Sequence, residues 1–113
     1  MNMEGFVEVT SLEEAKQLIQ AENLLLMFIY GETCSVCHAV LPQIKPMIDS
    51  FDAIKSIQIN HEHVPAVASE FTVFTVPVVL LFLEGKEVLR QARFIDRDLL
   101  KHQLNTITTG LKN

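Results

Sequence analysis

The stretch Gly31-Glu32-Thr33-Cys34-Ser35-Val36-Cys37-His38 holds the only two cysteines of a 113-residue chain, three positions apart. It directly follows the apolar run Leu24 to Tyr30. Thiols at this spacing fit several chemistries: buried small hydrophobes, a structural staple, two ligands of a metal site, a c-type haem tether, or a redox pair.

The neighbouring residues weigh between these. Glu32, Thr33, Ser35 and His38 are polar, and a position between a strand and a helix is exposed by geometry, which argues against two core thiols. As a staple, a loop of about four residues contributes only about 2 kcal/mol in the loop-entropy picture, less than longer closures do. A metal site needs two more ligands. His61 and His63 are available, but His-x-His is not the usual finger spacing, and both read equally as exposed loop residues. Thiolates of any reduced pair remain good metal ligands. The run Cys34 to His38 also has the haem-attachment pattern, a chemistry that requires export and room for a haem.

The redox reading has direct physical support. A helix beginning at the motif aims free backbone N–H groups and its positive end at the Cys34 sulfur. That field supplies about 0.3 to 2 kcal/mol, or roughly 0.2 to 1.5 pKa units, toward the reactive thiolate of a group that starts near 8.5. Cys34 is then the attacking thiol, and Cys37, one turn further on, resolves the mixed disulfide.

The rest of the chain must position this pair. Apolar residues make up 49% and charged residues 20%, the balance of a globular domain, and the length suits a single domain spanning 1–113. A net charge of −5 with scattered Lys and Arg speaks against nucleic acid and anionic membrane as partners. The N-terminal residues lack the pattern of a signal peptide, so the expected location is the cytoplasm.

Phe6 to Val9 reads as a strand. Ser11 followed by Glu14 is a capping-box signature for a helix over 12–20. Leu24 to Tyr30 reads as a strand covered on both faces. A helix follows the motif through Val40, Leu41, Ile44, Met47, Ile48 and Phe51, and Pro42 and Pro46 predict that it kinks or ends early. A strand over 54–60, a short helix near 65–71, a strand over 78–83 and a hairpin return over 87–93 come next. A last helix is capped by Asp96, with Ile95 stapled to Leu100 and a face of Leu99, Leu100, Gln103, Leu104 and Ile107. Residues 108–113 read as a frayed tail. The order βαβαβαββα makes an α/β sandwich.

At this point the chain resembles the thioredoxin superfamily. The matching features are the two-cysteine motif after an apolar strand, Pro42 five residues beyond Cys37, Val76-Pro77 before Val78 to Leu83, and Gly85 in the hairpin. The similarity runs from about Phe6 to Leu104. It implies a three-layer sandwich with a central mixed sheet and helices on both faces. It also implies a cis Pro77 facing the cysteines, a Val76 backbone that pairs with an extended substrate segment, and Thr75 lining the same groove. Thr33 and Ser35-Val36 stand where thioredoxins have Trp and Gly-Pro, and Phe28 stands at the position of the family's buried Asp.

The expected activity is thiol–disulfide exchange with protein substrates through a Cys34–Cys37 disulfide. The protein would be a monomer, need no cofactor, hold no metal and be recharged by a reductase or a small thiol. The rival is a non-catalytic adaptor or redox sensor on the same fold, to which the departures lend weight. His38, four residues after Cys34 on one helical face, is a candidate to stabilise the thiolate as a cation, or else a solvated helix residue; Glu32 works against the thiolate. His38→Gln is expected to raise the Cys34 pKa in a thiolate titration, and an unchanged value removes His38 from the mechanism.

Overall fold

The computed structural model describes residues 6–111. Their elements are β1 (Phe6–Val9), α1 (Leu12–Ala21), β2 (Leu24–Tyr30), α2 (Ser35–Asp49), β3 (Lys55–Asn60), α3 (Ala66–Glu70), β4 (Val78–Leu83), β5 (Lys86–Ala92) and α4 (Arg97–Leu111). The strands form one sheet in the order β1-β3-β2-β4-β5. β1 and β2 run parallel to β3, whereas β4 is antiparallel to both β2 and β5.

The chain changes direction between β3 and β4, and β4 starts from the end of the sheet where β3 stopped. The register agrees: Tyr30 pairs with Asn60, and Ile29 pairs with Val78. That end of the sheet is where the two-cysteine motif leaves β2.

Two apolar layers cover the sheet. On one face Ala15 and Ile19 of α1 and Val67 of α3 pack on Leu25, Met27, Ile29, Ile57 and Ile59. On the other, Ile44 and Ile48 of α2 and Leu100 and Leu104 of α4 pack on Leu24, Leu26, Phe28, Val79 and Leu81. β2 is buried on both faces, as its unbroken apolar run requires.

The helix ends follow their side chains. Ser11 Oγ accepts the Glu14 N–H at 3.1 Å to start α1. Asp96 Oδ1 accepts the Leu99 N–H at 3.0 Å to start α4, and the buried Gln91 fixes Asp96 by accepting its N–H at 2.7 Å. The β4–β5 turn places Glu84 and Gly85 at φ 50° and 84°, a left-handed pair that glycine makes easy.

Three expectations need correction. α2 does not end early; it runs through both prolines. Pro42 and Pro46 lie on its exposed side, while Ile44 and Ile48 are fully buried, so packing against the sheet holds the helix despite two lost N–H donors. Leu99 is 45% exposed and faces solvent rather than the core. α4 continues past residue 108 to Leu111, with Thr108 buried and its hydroxyl donating to the Leu104 carbonyl at 2.9 Å. Lys112 and Asn113 lie outside the described residues.

Because α2 is held by its buried face, Ile44→Ala is expected to cost about 2 to 5 kcal/mol. A lower urea midpoint at unchanged slope is the measurement; an unchanged midpoint removes this packing as the anchor of α2.

Candidate active site

The site is built from the loop that β2 releases. Beyond Tyr30, the loop is tied to the turn that follows β3. His61 N–H donates to the Tyr30 carbonyl at 2.9 Å, Glu32 N–H to Glu62 Oε1 at 3.0 Å, and Asn60 Nδ2 to Glu32 Oε1 at 3.2 Å. Asn60 Oδ1 accepts the Glu62 N–H at 2.9 Å and closes the network. A Cβ at Gly31 would stand 2.9 Å from His61 Nε2, so the His61 ring would have to shift to admit one.

This loop delivers Cys34 to the N-cap of α2. Its carbonyl accepts the His38 N–H at 3.2 Å, the first helical bond, and its sulfur accepts the Cys37 N–H at 3.1 Å. The thiol therefore sits against the free amides of a fifteen-residue helix with no acidic residue in its first turn. Cys34 is half-buried, whereas Cys37 is 1% exposed. The two are joined in a disulfide with Cα atoms 5.3 Å apart. One residue of the pair is partly exposed and the other is buried.

The Val76–Pro77 bond is cis. Val76 and Cys34 pack against the same apolar cluster, and the Pro77 carbonyl accepts the Arg93 N–H at 2.7 Å. Thr75 is exposed, Val76 is half-buried and Pro77 is buried. Arg90 holds the preceding loop by donating to the carbonyls of Phe71 and Thr72 at 2.6 and 3.0 Å. Its guanidinium also keeps the Glu87 carboxyl below the usual carboxylate range.

His38 is exposed, and its Nε2 bonds the Glu32 carbonyl at 3.1 Å while the ring meets Tyr30 edge-on. His61 lies against Gly31, and His63 is exposed. Among the described residues, no three His, Cys, Asp or Glu side chains come together as a metal site. No helix among them is long and apolar enough to cross a membrane.

Two groups of residues escaped the sequence reading. Phe74 and Phe94, 92% and 78% exposed, flank the cis-proline turn. Val78 pairs with Ala92, which brings Phe94 level with Val76. Their signal was an aromatic residue in each of two otherwise short loops. The second group lies under α2, where a cleft of about 430 Å³ is lined by Phe28, Tyr30, Cys37, His38, Leu41, Pro42 and Gln58. Tyr30 and Gln58 both donate to Glu8 Oε1, at 2.7 and 2.8 Å. Burial first, and then the bond to Glu8 and its charge, push the Tyr30 phenol above its ordinary range. Only the polar residues inside β1 and β3 hinted at this network.

A dithiol at a helix N-terminus, beside a cis-proline turn on a mixed five-stranded sheet, defines a thioredoxin-like thiol–disulfide oxidoreductase. Comparison with known proteins agrees. The Thioredoxin family model matches residues 6–106. A thioredoxin-like protein of Bacillus subtilis, YdfQ, is 40% identical over 93% of this chain and 94% of its own length. The thioredoxin of Chlamydia trachomatis is 28% identical over 86% of this chain and 99% of its own. In fold, a Plasmodium falciparum thioredoxin superposes with a TM-score of 0.81 at 18% identity, covering 88% of this chain and 97% of that one. A mutant thioredoxin of Halobacterium salinarum gives 0.79 at 22% identity, covering 89% and 88%. The chain belongs to the thioredoxin family.

Proposed function

We propose that Cys34 is the nucleophile of a reductant for protein disulfides. Its thiolate attacks one sulfur of the client, the client's S–S bond breaks, and a mixed disulfide forms. The other client sulfur leaves as a thiolate in that step. Cys37 then attacks the Cys34 sulfur, the electron pair leaves with the client sulfur that was bonded to it, and each released client thiolate takes up a proton. The client gains two electrons and the protein is left as the Cys34–Cys37 disulfide. A reductase or a small thiol returns it to the dithiol. The supporting observation is the asymmetry of the pair: a partly exposed Cys34 at the start of α2 beside a buried Cys37.

In this reading the Val76 backbone pairs with an extended client segment, Thr75 lines the groove and Pro77 holds the turn. Phe74 and Phe94 give the client an apolar rim. His38 assists as a cation near the Cys34 thiolate, and its bond to the Glu32 carbonyl holds the ring at the start of the helix. The proposed setting is a monomer in the cytoplasm, with no prosthetic group in the cycle.

The sensor or adaptor reading draws on Phe28, Thr33 and Ser35-Val36, positions where this chain departs from its relatives' motif. Insulin reduction separates the two. The wild type is expected to precipitate the insulin B chain with a thiol donor, and Cys37→Ser is expected to lose turnover while accumulating mixed disulfides through Cys34. Absence of both turnover and trapped adducts contradicts the reductase and leaves the sensor.

A further inference from the structure

Resolution requires that Cys37 lose its proton, yet the thiol is 1% exposed and packed among apolar side chains, surroundings that oppose a thiolate. Phe28, its neighbour in the cleft, cannot accept a proton. The other cleft-lining groups lead elsewhere. Tyr30 and Gln58 face the cleft and both donate to the same Glu8 oxygen. Gln58 Oε1 is buried and has no hydrogen-bond partner among the described residues, while its Nε2 is spent on Glu8. Glu8 pairs with Gln58 and Gln58 with Phe28, so these three occupy one row across β1, β3 and β2. A carboxylate thus stands two strands along the row from the apolar residue beside Cys37.

We infer that Glu8 is the proton acceptor for Cys37, reached through cleft water and the Tyr30 hydroxyl, with Gln58 as a positioning residue. This rests on the dithiol reading above. Cys37 gives its proton to a water in the cleft that it shares with Tyr30. That water passes a proton to Tyr30 Oη as the phenol's own proton moves to Glu8. The Cys37 thiolate attacks Cys34, the bond from Cys34 to the client breaks, and the electron pair leaves on the client sulfur. Glu8, exposed on β1, returns its proton to solvent.

Other titratable groups surround this path. Cys37 and His38 approach from α2, and Glu32 acts on Tyr30 from the loop. One row away, Lys45 bonds Asp49 and stands over the Phe6 ring. His38, whose Nε2 bonds the Glu32 carbonyl, keeps Nδ1 as an acceptor and is the competing base, which the Glu8→Gln rate below separates from Glu8.

Stopped-flow reaction of the reduced protein with a chromogenic aromatic disulfide reads the two steps apart. The first equivalent of coloured thiolate reports attack by Cys34, and the second reports resolution by Cys37. In Glu8→Gln and in Tyr30→Phe the first rate is expected to stay within about twofold of wild type, and the second to fall about tenfold or more near neutrality. The deficit should close as pH rises through the thiol range, and added imidazole should accelerate Glu8→Gln more than wild type. An unchanged second rate in Glu8→Gln overturns the proposal, as does a deficit equal at every pH. If the wild type releases no first equivalent, the dithiol reading itself has failed.

Discussion

The Cys37 amide donates to the Cys34 sulfur, and the site depends on that contact. A helix start has unsatisfied N–H groups, and here a side-chain sulfur occupies the cap position that a hydroxyl or carboxylate fills elsewhere. The same arrangement that completes the helix stabilises negative charge on the sulfur, so structural and chemical requirements coincide in one residue. The effect requires α2 to be stationary at the end of β2. Ile44 and Ile48 fasten its body to the sheet, and the Asn60–Glu32–Glu62 bonds fasten the loop before it.

The second requirement is that the cis-proline turn be at the same end of the sheet. It is met by β4, which enters from that end with Val78 beside Ile29. Arg90 then ties the incoming loop to β5, and Arg93 holds the Pro77 carbonyl.

The framework was legible because its signals are local. Ser11 and Asp96 cap helices through bonds within three residues, and the apolar run of β2 fits a strand buried on both faces. The cysteine motif stood out by spacing alone. Reading failed where distant packing overruled a local rule. Two prolines predict a kink or an early end, but α2 runs through both to Asp49. Thr108 reads as fraying, yet its hydroxyl bonds Leu104 on a helix docked to the sheet. The Glu8–Tyr30–Gln58 network joins residues 22 and 50 positions apart, and only strand order reveals it.

Selective alkylation of the reduced protein tests the central claim most directly. With limiting iodoacetamide at neutral pH, the account predicts that Cys34 is modified first and several-fold faster than free cysteine, with Cys37 spared. Equal labelling of the two thiols, or a Cys34 rate no higher than that of free cysteine, would contradict it.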